Sequence, residues 1–187
     1  MRYNELTFQG RNAVLEAFRS GKTIDKLFIL DGCQDGPIKS IVREAKKTDA
    51  IINYVDKERL DRLAGTGHHQ GVVAIGAAYE YAEVEDILAA AKEKGEDPFI
   101  FILDEIEDPH NLGAIIRTAN LAGAHGVIIP KRRAVGLTAT VAKTSAGAIN
   151  YTPVAKVTNI SQTIEELKKQ GLWFVCADMG GETCLLY

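Results

Sequence analysis

The sequence predicts an α/β protein whose second half is a parallel, doubly wound sheet. Three observations predict it. From residue 99 onward, short apolar runs alternate with stretches of helical spacing, as strands and crossover helices of a parallel sheet do. The run "FIFIL" at 99–103 is continuously apolar, the pattern of a strand covered on both faces. Charge is divided unevenly: residues 1–79 carry 12 Lys and Arg against 10 Asp and Glu, and residues 80–187 carry 10 against 15. That split predicts a small α/β domain over 1–79, an acidic linker and helix over 80–97, and the parallel-sheet domain over 98–187.

The elements follow in order. "GRNAVLEAFRSG" has helical spacing and closes on Gly21, and "KLFIL" is a compact strand. "PIKSIVREAKKT" opens with Pro37, which the first turn of a helix tolerates. "INYV" is a strand, "DKERLDRLAG" a short helix and "GVVAIGA" a strand. "AYEYAEVEDILAAAKEKGEDP" is a linker running into a solvated helix, "VEDILAAAKEKG", closed by Gly95 and Pro98. Beyond it "FIFILDEI" is a strand, "NLGAIIRTANLAGA" a helix with Asn111 suited to cap it, "HGVIIP" a strand and "ATVAKTSAGA" a helix. "YTPVAKV" is a strand whose Pro153 implies an edge or an end. "ISQTIEELKKQG" is an amphipathic helix that Ser161 could cap, and "LWFVCADM" is a last strand.

Bulk properties bound the function. With 187 residues, 46% hydrophobic and 25% charged, the chain can bury a real core. No apolar run approaches the roughly 20 residues of a membrane span, and "MRYNELTFQG" lacks the apolar core of a signal peptide. Three scattered cysteines, Cys33, Cys176 and Cys184, argue against a disulfide framework and for a reducing, cytoplasmic setting. A net charge of −3 argues against a wholesale nucleic-acid coat but does not exclude a local basic site. The adjacent His68 and His69 have no cysteine or carboxylate close by in sequence to complete a zinc set, so a loop role is expected. No metal site is expected.

Ligands of doubly wound sheets gather beyond the carboxyl ends of the strands, and the loop "DEIEDPHN" occupies that place after "FIFIL". Arg117 lies six residues beyond Asn111, about 9 Å along a helix. Its neighbours are small or apolar, so a guanidinium there needs a partner. Two readings stand: an ion pair with Asp104, Glu105 or Glu107, or a cation reaching back into the strand-edge cleft toward a phosphate or a ribose hydroxyl. "PKRRA", with Lys131, Arg132 and Arg133, follows the next strand on the same edge and suits phosphate contacts that position a backbone.

These segments together, "DEIEDPHNLGAIIRTANLAGAHGVIIPKRRA" followed by "TSAGAINYTPVAKVTN", closely resemble the SpoU-type (TrmH-type) RNA 2′-O-ribose methyltransferases, a branch of the trefoil-knotted, S-adenosylmethionine-dependent α/β superfamily. The opening "FQGRNAVLEAFRSG" through "HHQGVVA" resembles the small substrate-binding domain of the branch that modifies ribosomal-RNA guanosine. The resemblance implies catalytic roles for Asn111 and Arg117, RNA contacts at Arg11 and Asn12 (the latter otherwise a helix start), and a cofactor rim at Cys176, Ala177 and Asp178. The RNA contacts expected at Lys131, Arg132 and Arg133 rest on their place alone, where a solvated triplet is the alternative. It also implies a homodimer in the full-length protein. A base role for Arg117 requires the guanidinium to give up its normally permanent charge, whereas fixing a phosphate and polarising the hydroxyl does not.

The chain departs from the family in one respect: nothing after "LWFVCADMGGE" matches the Gly-Glu-Gly-type loop or the Ile-Pro-Met … Ser-Leu-Asn segment that form the knot and most of the cofactor pocket. The expectation is therefore a truncated chain, inactive alone. The competing reading is a non-catalytic RNA-binding protein. A nucleotide-binding oxidoreductase is disfavoured because no G-x-G-x-x-G fingerprint is present.

Overall fold

The computed structural model describes residues 6–48, 50–65 and 67–177. Two sheets organise it. The first contains β1 (Leu6–Gln9), β2 (Ile24–Leu30), β3 (Ile51–Val55) and β4 (Val72–Gly76), in the order β1-β4-β2-β3. β4 is antiparallel to both β1 and β2, and β2 is parallel to β3. Helices α1 (Arg11–Arg19) and α2 (Gly36–Lys47) cover one face, and α3 (Lys57–Ala64) covers part of the other.

The two-residue period of β2 decides which side chain goes where. Leu27 and Ile29 pack with Val14, Ile38 and Ile41, while Phe28 packs with Leu60, Ala64 and Val73. Asp35 and Asp56 cap α2 and α3 by accepting from the Ile38 and Arg59 amides. Gly65, at φ 68°, ends α3 in the left-handed conformation. β1 was not legible as a strand: it is four residues long, half-exposed and on the sheet edge.

The second sheet is wholly parallel, in the order β5 (Ile100–Ile102), β6 (Gly126–Pro130), β7 (Val154–Val157). Helices α5 (Pro109–Leu121) and α6 (Ala139–Thr144) share a core with Val127, Ile129 and Val154 on one face. Helices α4 (Val84–Lys94) and α7 (Ile160–Lys169) share Ile128 and Ala155 on the other. This three-layer arrangement is the doubly wound class expected from the alternation. Gly126 is required by packing, since a Cβ there would lie 2.5 Å from Ile87 Cδ1.

Four details differ from the sequence reading. Asn111 is not the cap of its helix: α5 starts at Pro109, and the Asp108 carboxylate accepts from the His110 amide. Asn159, not Ser161, caps α7. The stretch "ATVAKTSAGA" is not one helix, because Ala146 (φ 51°) and Gly147 (φ 89°) turn the chain left-handed before a 3-10 turn at Ala148–Asn150. Among the described residues, 172–177 do not join the sheet as a strand. Leu172 and Phe174 pack on the α4–α7 core while Trp173 stands 97% exposed.

The sheets are joined by residues 77–83. Ala77 donates to Thr23 O at the first sheet, Ala78 to Leu137 O, and Ala82 to Val154 O beside β7. Among the described residues, no helix is long and apolar enough to cross a membrane.

Candidate active site and nucleic-acid interface

The carboxyl ends of β5 and β6 open into loops that are tied together. Val135 donates to Ile106 O at 2.8 Å, and Arg133 Nη1 lies 2.8 Å from Glu105 Oε1. The "EDPHN" and "PKRRA" loops therefore share one edge, and Glu105 is paired with Arg133 rather than with Arg117.

α5 is held to this edge by its small residues. A Cβ on Gly113 would lie 2.7 Å from Thr144 Cβ and 2.9 Å from Val141 O, so the glycine of the N-x-G motif permits close contact with α6. Asn120 donates to Thr152 Oγ1 at 3.0 Å, fixing the far end. With Leu112, Ile116 and Ala119 buried against the sheet, an angular step of about 100° per residue turns His110, Asn111, Arg117, Thr118 and Leu121 outward. Asn111 and Arg117 flank that outward face.

Arg117 is exposed and makes no hydrogen bond or ion pair among the described residues. The expected ion pair with Asp104, Glu105 or Glu107 does not form. The guanidinium also lines neither of the two cavities at the joint between the sheets. Its position opposite the sheet is the reason.

A cavity of about 500 Å³ lies between the two sheets. Lys26, Asn53 and Arg59 line one wall, and Glu107, Lys131, Arg132 and Arg133 line the other. Register explains the first wall: Lys26 pairs with Ile51 and Phe28 with Asn53, so all four share a face of which α3 covers only part. Lys26, Arg59 and Arg132 form no ion pair among the described residues. Ile51 and Lys131 also line a second cavity of about 270 Å³, together with Asp25, Tyr81 and Lys156.

Those last three residues were not singled out by the sequence. Asp25 is buried on β2, and Lys156 on β7 lies 2.5 Å from its Oδ1. The Tyr81 hydroxyl donates to Asp25 Oδ2 at 3.0 Å and accepts from the Leu137 amide at 3.0 Å. Burial, with the neighbouring Asp25 charge second, pushes the Tyr81 hydroxyl far above its ordinary pKa. The available signals were an aspartate inside "IDKLFIL" and a lysine inside "VAKV".

The remaining expected site residues lie apart. Arg11 is bound within its own sheet: Nη2 lies 2.5 Å from Asp35 Oδ2 and Nε donates to Gln70 O at 3.2 Å. Asn12 is exposed beside it, and neither lines the cavities. Cys176 and Ala177 are exposed and line neither cavity, and Asp178 falls outside the described residues. His69 is buried, meeting Asp61 at 3.0 Å and accepting from the Gly71 amide. His125 similarly joins Glu96 to Phe99. Among the described residues no group of three His, Cys, Asp or Glu could hold a metal.

Fold and site define a class: a parallel α/β unit whose strand edge opens on a cationic groove shared with a second α/β unit. The sequence matches the SpoU rRNA Methylase family over residues 98–185 and the RNA 2′-O ribose methyltransferase substrate binding family over residues 9–82. It is 54% identical over 169 residues to YacO of Bacillus subtilis, named as of the TrmH family of tRNA/rRNA methyltransferases, covering 90% of this chain and 68% of the relative. A Staphylococcus haemolyticus relative with the same family name is 47% identical over 179 residues, covering 96% and 72%. The chain belongs to the SpoU/TrmH methyltransferase family. Solved structures similar to it include the AdoMet-bound rRNA methyltransferase of Sinorhizobium meliloti (23% identity, TM-score 0.41, 87% of this chain and 58% of that one). Another is the SpoU methyltransferase AviRb of Streptomyces viridochromogenes with AdoMet (18%, TM-score 0.43, 89% and 59%). The chain thus spans about three fifths of the solved chains it matches.

Proposed function

We propose that this chain supplies the RNA side of an S-adenosylmethionine-dependent 2′-O-ribose methyltransferase acting on ribosomal RNA, with guanosine as the modified nucleoside. The reaction replaces the 2′-hydroxyl hydrogen with the donor's methyl group and releases S-adenosylhomocysteine and a proton. One observation carries the reading: the motif cation Arg117 stands exposed, and unpaired among the described residues, near Asn111 on the outward face of a helix rooted at the sheet edge. A permanent cation there can fix a backbone phosphate and polarise the ribose hydroxyl. Asn111 supports the same site with its amide. Lys131, Arg132 and Arg133 guide the RNA backbone from the groove, and Arg11 with Asn12 forms a peripheral contact.

The described residues do not enclose the methyl donor, because Cys176 and Ala177 are exposed. Around Arg117 the outward face also carries Leu121, 82% exposed, and Tyr151, 80% exposed, stands next to the Asn120–Thr152 bond. An apolar surface so close to the motif fits a homodimer in which a second copy covers α5. A non-catalytic RNA-binding protein is favoured by a different observation, since the described residues line a cationic groove but do not enclose a donor pocket.

Methyl transfer from labelled S-adenosylmethionine to ribosomal RNA, measured on the protein at its gene-encoded length, separates the two. Arg117→Ala is expected to lower kcat by about 100-fold, the usual cost of removing one preorganised charge-stabilising group. Arg117→Lys should recover little, because a point charge does not reproduce the planar fork. Full activity in Arg117→Ala would remove the assigned role, and RNA binding without any methyl transfer would select the non-catalytic reading.

A further inference from the structure

Three side chains from distant parts of the chain meet where the two sheets adjoin. Lys156 Nζ donates to Asp25 Oδ1 at 2.5 Å and to the Tyr81 hydroxyl at 3.2 Å, and it lies 4.4 Å from the Tyr81 ring centroid. Tyr81 donates in turn to Asp25 Oδ2, and the Leu137 amide donates to Tyr81. One member belongs to the first sheet, one to the second and one to the segment that joins them. Gly136 leaves room for the group, since a Cβ there would collide with the Asp25 carboxylate.

We propose that Asp25, Tyr81 and Lys156 form a latch that fixes the angle between the two sheets, making them positioning residues for RNA in the cationic groove. The RNA part of this inference rests on the function proposed above. The chemistry of the trio favours a geometric role. A buried ion pair adds little stability over a well-packed apolar pair, because desolvation offsets most of its attraction. What it adds is direction. Oδ1 is committed to the ammonium and Oδ2 to the phenol, so sliding of one sheet over the other breaks both bonds and strands a buried charge. An apolar contact would tolerate such sliding. Ile51 and Lys131 line both the latch cavity and the cationic groove, so the trio borders the walls whose spacing it sets.

The test uses the apolar pair Asp25→Leu with Lys156→Met, the single variant Gly136→Ala, and the charge-reversed pair Asp25→Lys with Lys156→Asp. Amide hydrogen exchange reads the joint directly at Ala78 and Ala82, which bond to Leu137 O and Val154 O, against Leu27 and Ile128 inside each sheet. Exchange at Ala78 and Ala82 should be about 10-fold faster in the apolar pair and in Gly136→Ala, with Leu27 and Ile128 unchanged. RNA affinity should fall by about 10-fold in Gly136→Ala with the same salt slope, because no cation has been removed. The charge-reversed pair should recover part of both effects.

Unchanged exchange at Ala78 and Ala82 would overturn the latch. So would loss of protection at Leu27 and Ile128, because a latch is dispensable to each sheet. Faster exchange with unaltered RNA affinity would overturn the positioning role. A wild-type protein that binds no RNA would instead remove the functional reading, while exchange still decides whether the trio joins the sheets.

Discussion

At the scale of single residues, Gly113 shows how a motif position can serve packing rather than chemistry. Its absent side chain lets α5 approach α6 until a Cβ would touch Thr144 and the Val141 carbonyl. Gly113→Ala should therefore destabilise the protein by about 1–3 kcal/mol, as overpacking of a tight contact does, read as a lower urea midpoint at unchanged m-value. An undiminished midpoint would mean that the helices separate at no cost. Arg117 shows the opposite limit of sequence reading. Its presence on a helix of small and apolar residues was legible, and so was its need for an explanation. Its direction was not, because the 3.6-residue period fixes a side chain only relative to whichever face is buried. Here Leu112, Ile116 and Ala119 take the sheet and turn Arg117 outward. The Asp25–Lys156 pair was illegible for another reason: its partners are 131 residues apart, and no local pattern records such a contact.

At the scale of elements, the strongly periodic segments read correctly and their ends did not. The helix of residues 109–121 was visible from spacing, but a choice between Asp108 and Asn111 as cap depends on a turn whose geometry propensity alone does not set. β1 escaped because an edge strand of four residues, with only one neighbour, shows little alternation. Residues 172–175 alternate inward and outward as a strand would, yet among the described residues 172–177 have no ladder partner. Among the described residues, no wall stands opposite Cys176 and Ala177, which are both exposed. Calorimetry on the 187-residue chain should accordingly show no heat of S-adenosylmethionine binding. A micromolar dissociation constant would mean that this segment closes a pocket.

At the scale of the whole molecule, the acidic net charge and the proposed RNA partner are reconciled by where the cations sit. Lys26 and Arg59 come from the first sheet and its α3, and Arg132 comes from the loop after β6. None has an acidic partner among the described residues, whereas Arg11 and Arg133 are already neutralised by Asp35 and Glu105. Cations without partners release condensed counterions when they meet phosphate, and paired ones do so only after breaking a bond. Arg59→Ala and Arg132→Ala should therefore each reduce the slope of log K against log salt by about 0.7, the single-strand value per phosphate contact. Because they stand on opposite walls, the double variant should lose about twice as much, while Arg11→Ala, at a peripheral contact whose guanidinium is held by Asp35, should change the slope much less. Fluorescence anisotropy with a labelled single-stranded RNA over a salt series measures all three. If Arg11→Ala alters the slope and Arg59→Ala does not, the RNA follows the outer side of the first sheet, not the groove between the two.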